Sequence, residues 1–411
     1  MRVSFLISIF VFIVSEYNTD AQTHGCTDRM AVNYNRDANL NDGSCIYEPV
    51  SVSPISSFSL PDYLNETSGL ISWNGLIWTH NDNDDIQVYS LDTLNGSVIR
   101  SYEITGAVNI DWEEISQDDE YVYIGDFGNN SDGNRQDLRI LRIGKNSLLS
   151  DSPVTETIAF SYPDQADFSQ AGPNNTDFDC EAFIVSADSI YLFTKQWISN
   201  KTSIYSLPKT PGTYVAKLLN TYDAGGLITG AVWLENRKLI ALCGYSSLLE
   251  PFVWLLYDFT APHFFGGNKR KISLSLPFHQ VEGITTTNGL KYYISNESFI
   301  QPPFINTPQK LHILDLSPFL EHYPDIPTGV TLIEFPDYSI FPVPATEFIT
   351  INDTGNILPA RYFLINQTGQ VVSSGRLTKD SSIISISHLS AGLYILRIGM
   401  GRRNSVKVIK K

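Results

Sequence analysis

The residues best placed to do chemistry are carboxylates that recur at matched positions in five related segments. These segments are Ser68-Gly69-Leu70, Glu113-Glu114-Ile115, Glu181-Ala182-Phe183, Gly230-Ala231-Val232 and Glu282-Gly283-Ile284. If the segments are arranged radially, their first residues form a ring of Ser68, Glu113, Glu181, Gly230 and Glu282 around a common axis. Glu66, Asp111 and Asp179 each stand two residues before a ring position, on the same face of an extended strand. Carboxylates crowded into a narrow, partly desolvated channel repel one another, and relief comes from raised pKa values or from a bound cation. Oxygen ligands without a neighbouring thiolate or histidine pair suit Ca²⁺ or Mg²⁺ rather than zinc. Glu113, Glu181, Glu282 and Glu66 are therefore the expected metal ligands, with Ca²⁺ the expected ion. Two other readings stay open. Each glutamate can accept backbone N–H groups of the next repeat and lock the ring, or the glutamates can act directly as acid and base.

The elements that must position these side chains are strands. Ten residues after each first position an apolar residue opens a second strand: Trp78, Tyr123, Tyr191, Ile240 and Tyr292. Further strand-like stretches follow each pair, among them Ile86–Leu91, Thr155–Phe160, Tyr214–Leu219 and Lys310–Leu314. Successive repeats start 45, 68, 49 and 52 residues apart. Four antiparallel strands per unit at that spacing predict an all-β fold, a five-bladed β-propeller. A six-bladed form is the alternative, if residues 299–335 hold another blade. The orphan strand Ile55–Leu60, ahead of the first repeat, is expected to complete the last blade and remove an exposed edge.

In such a fold the ends of the second strands gather at one mouth of the channel, and there Asp82, Asp126, Lys195 and Asn296 are the expected ligand-binding residues. Lys195 is the one cation at that level, available to an anionic ligand or to the glutamates. Trp112, Trp197 and Trp233 could stack on a sugar or simply pack between blades. A formal charge of −16 argues against nucleic acid as a partner. No Gly-x-Ser-x-Gly elbow, His-Glu-x-x-His pair or phosphate-binding loop occurs. Cys180 and Cys243 fall on inner strands, as a disulfide or as buried thiols.

The ends of the chain concern where it goes. Residues 1–21 have one early basic residue, an apolar run from Phe5 to Val14 and a small residue before Gln22, the pattern of a secretory signal peptide. No segment has the length and apolarity of a membrane helix. Residues 22–50 contain Cys26 and Cys45 around a polar loop, expected to form a disulfide in an exported protein. The run Asp37 to Gly43 resembles a calcium loop but lacks the spacing of an EF-hand. The whole segment resembles a Gly-Cys-Thr-Asp…Asp-Gly-Ser-Cys module common in exported bacterial proteins. The propeller is expected over 51–325 and a Pro-rich linker over 326–340. Residues 341–411, with nine basic and three acidic residues, are expected to form a small β-sandwich of short strands.

The C-terminal segment also resembles the type A C-terminal sorting domain of the type IX secretion system of the Bacteroidota. The resemblance is carried by Phe341-Pro342-Val343-Pro344-Ala345, Asn366 to Val372 and Leu389 to Arg397, although the family usually opens with Tyr-Pro-Asn-Pro. It implies contact with the type IX machinery and export to the outer-membrane surface of a Gram-negative bacterium or beyond it. The acidic inner strands resemble those of phytase-like esterase propellers and calcium-activated nucleotidases. Together these features predict an exported propeller that binds a small molecule, glycan or protein around a structural divalent cation. The alternative is a calcium-dependent phosphoester or ester hydrolase acting at the channel mouth.

Overall fold

The computed structural model describes residues 22–150, 152–320, 323, 338–341, 345–353, 360–366, 370–378, 381–398 and 405–411. The segment expected to be a signal peptide, and most of the expected linker, lie outside them.

Alternating apolar residues between turns fold the central region into five sheets, each with four antiparallel strands running outward from an inner strand, and the second and fourth gain a short parallel fifth strand at the outer edge. The inner strands are Thr67–Trp73, Trp112–Gln117, Asp179–Val185, Leu227–Leu234 and Val281–Thr286. Each packs against the inner strands of two neighbouring sheets, the last against the first, so they form a closed ring. The wedges between sheets are filled by separate apolar clusters. Trp78 and Trp112 meet between the first and second sheets, Phe127 and Phe183 between the second and third, and Phe193 and Ile228 between the third and fourth. Val253 and Ile284 meet between the fourth and fifth, and Leu70 and Tyr293 between the fifth and first. Burying one such side chain contributes about 1.5–3 kcal/mol, so these wedges hold the ring together. This topology is a β-propeller.

Closure comes from the start of the chain. Ser56–Ser59, within the orphan strand, pairs antiparallel with Lys310–Asp315 as the outer strand of the fifth sheet. Residues 299–320 otherwise hold a small hairpin, Phe299–Gln301 with Ile305–Thr307, and a 3-10 turn. One expected strand divides in two. Tyr214–Leu219 breaks at buried Ala216, whose N–H bonds to Ser161 of the second sheet. Gly212–Val215 then runs parallel to Thr155–Ser161, while Lys217–Tyr222 completes the third sheet. A one-residue crossover between neighbouring sheets leaves no break in hydrophobic periodicity, so the alternation reads as one strand.

Cys26 and Cys45 form the expected disulfide. On the chain-entropy account a loop of this size contributes on the order of 3 kcal/mol. The stapled segment docks on the outer edge of the fourth sheet through Asn41 Nδ2 to Asp258 Oδ2 (2.7 Å) and Lys269 Nζ to the Gly43 carbonyl (2.7 Å). In the stretch that resembles a calcium loop, Asn41 and Asp42 accept the N–H groups of Gly43 and Ser44 as Asx turns.

The C-terminal region is a two-sheet sandwich around Ile349, Leu364, Ile384, Leu396 and Val408. Its first strand, Tyr338–Phe341, begins inside the expected linker. No helix among the described residues is long and apolar enough to cross a membrane.

Candidate metal centre

All five inner strands carry a register shift against their second strands at the repeated motif. Such a bulge bends a strand and re-aims the side chains within it. The inner strands also approach closely there. A Cβ on Gly69 would lie 2.3 Å from Glu114 Oε1, and one on Gly283 would lie 2.5 Å from the Ser68 carbonyl, so these positions demand glycine. Hydroxyl groups tie the ring: Ser68 Oγ donates to the Glu113 carbonyl and Ser295 Oγ to the Ser68 carbonyl.

At one end of the channel lies a cavity of about 170 Å³, lined by Asp82, Glu113, Glu181, Glu282, Glu297, Lys195, Trp197, Tyr245, Gln280, Asn130 and Asn174. Five carboxyl groups thus face one ammonium. Carboxylate oxygens of Glu113, Asp179 and Glu181 come within 4.8 Å of one another, all three residues being buried. Asp179 is held in place at both oxygens, Oδ1 accepting the Asn129 N–H at 2.6 Å and Oδ2 the Trp197 Nε1–H at 2.8 Å. Lys195 Nζ donates to Glu181 Oε1 at 3.0 Å and lies 4.8 and 5.4 Å from the ring centres of Trp197 and Tyr245. Glu282 Oε2 is buried with no hydrogen-bond partner among the described residues.

The electrostatic consequence is strong. Burial first, then the charges of Glu181, Asp111 and Asp179, push the Glu113 carboxyl well above the usual range. Burial also raises Asp179 and Glu282, although Lys195 opposes the rise in both. Asp82 is raised to about 8 by burial and then by Glu297 and Glu66. Asp111 and Glu297 are each raised to about 7, burial again leading. For Lys195 burial disfavours the charge, but Glu181 and then Tyr245 and Glu282 outweigh it, so the ammonium is stabilised.

Of the residues expected at the mouth, Glu113, Glu181, Glu282, Asp82 and Lys195 come together. Glu66, Asp126 and Asn296 do not line the cavity. Glu66 Oε2 accepts from Asn83 Nδ2, close enough to influence Asp82. Asp126 is fully buried and paired with Arg135 at 2.9 Å and Arg139 at 2.7 Å. Asn296 holds blade closure, its Oδ1 accepting from His312 Nε2 at 2.9 Å while Ser57 Oγ lies 2.8 Å from Nδ1. Trp197 reaches the mouth, whereas Trp112 and Trp233 pack against His80 and Phe264. Cys180 and Cys243 are buried free thiols.

Reasoning from the repeat misses Glu114, which occupies the Gly or Ala position of the motif. Its carboxylate crosses the channel, with Oε2 accepting the Ala231 N–H at 2.8 Å and Oε1 the Ile115 N–H at 3.0 Å. Burial drives it well above the usual range, against the pull of those N–H groups. Asp179 was legible from its place two residues before Glu181. Asn174 gives no signal of its own and arrives on the long connection that makes the 68-residue spacing, where its N–H bonds to the Asn130 carbonyl.

Residues 339–411 match the family model of the secretion system C-terminal sorting domain. No curated protein matches the chain. Among solved structures the chain is similar to the glutaminyl cyclase of Myxococcus xanthus, at 13% identity and a TM-score of 0.41, over 65% of this chain and 99% of that one. It is similar to a PQQ-bound aldose sugar dehydrogenase of Streptomyces coelicolor, at 10% identity and a TM-score of 0.36, over 63% of this chain and 98% of that one. It is also similar to PorZ, a surface component of the type IX secretion system of Porphyromonas gingivalis, at 10% identity and a TM-score of 0.28. That likeness covers 84% of this chain and 45% of PorZ. The propeller assignment itself rests on the sheet topology. The protein is an exported β-propeller with a type IX sorting tail, which implies delivery to the cell surface or the extracellular space in Bacteroidota.

Proposed function

We propose that the propeller is a binding module whose acidic channel mouth holds a divalent cation, Ca²⁺ by preference. The observation that carries this is the buried trio Glu113, Asp179 and Glu181, with Glu282 Oε2 unpartnered on the same cavity. Buried carboxylates must be paired, protonated or metal-bound, and one lysine cannot balance five. The donors are all hard oxygens, which fits Ca²⁺ or Mg²⁺, and the irregular arrangement suits the looser shell of Ca²⁺. The cation would offer an oxygen atom of a small molecule, glycan or protein a coordination position at the mouth.

The alternative, a calcium-dependent hydrolase, finds less support. Lys195, the cation that would meet a phosphate, is committed to Glu181, and Glu114 crosses the channel beneath. The two readings separate on a panel of nucleotides and esters assayed with and without Ca²⁺. Binding without turnover is the expected result, and metal-dependent turnover lost in Glu113→Gln would establish the hydrolase instead.

A further inference from the structure

A second cavity, of about 260 Å³, opens where the disulfide-stapled segment meets the propeller. Asp28 and Arg29 form part of one wall, and Tyr257, Asp258, Asn268 and Phe319 part of the other. Its chemistry is the opposite of the channel mouth's, combining an aromatic floor with separate donors and acceptors and no large excess of charge.

The floor is fixed from both sides. Tyr257 donates its phenol to Asp28 Oδ2 at 2.6 Å, and Tyr47 donates to the same oxygen at 2.7 Å. Asp28 Oδ1 accepts the Met30 N–H at 2.9 Å, so this carboxylate is occupied in building the wall. Phe319 is held by the Arg270 guanidinium, 4.6 Å from its ring centre. Three other groups keep spare capacity. Asn268 uses Oδ1 to accept from Asn41, and its Nδ2 donors have no partner among the described residues. Asp258 uses Oδ2 to accept from Asn41 and Thr27, and its Oδ1 has no partner among the described residues. The Arg29 guanidinium makes no ion pair among the described residues.

We propose that this cleft binds a single neutral sugar ring, the end of a glycan. A pyranose presents an apolar C–H face to an aromatic floor and hydroxyl groups that both donate and accept around its rim. The free amide donors of Asn268, the acceptor of Asp258 and the guanidinium of Arg29 complement such a rim. A phosphate would meet Asp28 and Asp258, and a bare cation would meet Arg29, so charged ligands fit less well. The volume lies just below the roughly 300 Å³ at which drug-sized pockets begin, enough for one ring. The cleft is built by two parts of the chain, which gives the stapled segment a role beyond spacing.

The test is saturation-transfer NMR on the whole chain from residue 22, with the methyl glycosides of glucose, galactose, mannose and N-acetylglucosamine, followed by calorimetry. At least one glycoside should bind with one-to-one stoichiometry. Asn268→Asp, which keeps the acceptor for Asn41 and removes the free donors, and Phe319→Ala should each weaken binding at least tenfold. Arg29→Ala changes an exposed residue, and its weakening serves as the readout should a buried variant fail to fold. Glu113→Gln should leave sugar binding unchanged, which separates this cleft from the channel mouth. No transfer to any glycoside, or binding that survives both Asn268→Asp and Arg29→Ala, would overturn the proposal.

Discussion

Glu113 and Glu114 are neighbours in sequence and opposites in use. The first turns its carboxylate into the acidic cavity, where Glu181 and Asp111 crowd it. The second crosses the channel and accepts backbone N–H groups from its own and a distant sheet. Glu114→Gln should therefore destabilise the fold by about 1–3 kcal/mol, the cost of leaving a buried donor unpaired, as read from a denaturant midpoint. Glu113→Gln should instead leave the metal-free protein equally stable or raise its midpoint, since it removes a repelled charge. A second prediction follows from the raised acids. With Asp82 near 8 and Asp111 and Glu297 near 7, the folded protein holds protons that the unfolded chain has already released. Stability without metal should thus fall as pH rises from about 4.5 to about 8. Because protons and cation compete for the same oxygens, Ca²⁺ should raise the melting temperature more at about pH 8 than at about pH 5. Melting curves that are flat across that range in chelator would contradict this. Glu113, Glu181 and Glu282 were legible because the repeat offsets mark them, whereas Glu297, next to the expected Asn296, was not. The commitments of Asp126 to Arg135 and Arg139, and of Asn296 to His312, were not, since they depend on which residues of the third strand, and of the connection before it for Arg135, come against the second.

At the scale of elements, the bulge shared by the five inner strands and the late closure of the ring do the positioning. His312 is the fastening of that closure, bridging Asn296 of the second strand and Ser57 of the closing strand. Burial lowers its pKa to about 3, which keeps the ring neutral and able to donate at one nitrogen and accept at the other. His312→Ala should cost about 1–3 kcal/mol by stranding both partners. Hydrogen exchange should show the loss concentrated in residues 56–59 and 310–315. Uniform loss across all five sheets would argue against a local fastening. The strand pairs were readable from alternating hydrophobicity and a constant offset. The crossover at Ala216 was not, because a strand that changes sheets keeps its alternation.

At the scale of the whole molecule, three parts meet different demands: a propeller that holds the acidic cavity, a stapled segment docked on its edge and a C-terminal sandwich that addresses the protein for export. Replacing Cys26 and Cys45 with Ser should loosen residues 22–50 by on the order of 3 kcal/mol while the propeller stands. Limited proteolysis should then cut between residues 26 and 45 first, and simultaneous loss of the propeller would show that the segment is integral to the ring. The sorting domain was the part most legible in sequence, because its motifs keep their order. The channel glutamates gave their position but not their occupant, since type and spacing do not say which oxygens remain unpaired after folding.

The most direct measurement is a calorimetric titration of Ca²⁺ into the chelator-treated whole chain, beside Glu113→Gln and Glu181→Gln. The account predicts one site per chain in the parent protein, abolished or weakened at least tenfold in both variants. Absence of binding in the parent, or a site that survives both substitutions, would show that the acidic mouth is balanced by protons and Lys195 alone and holds no metal.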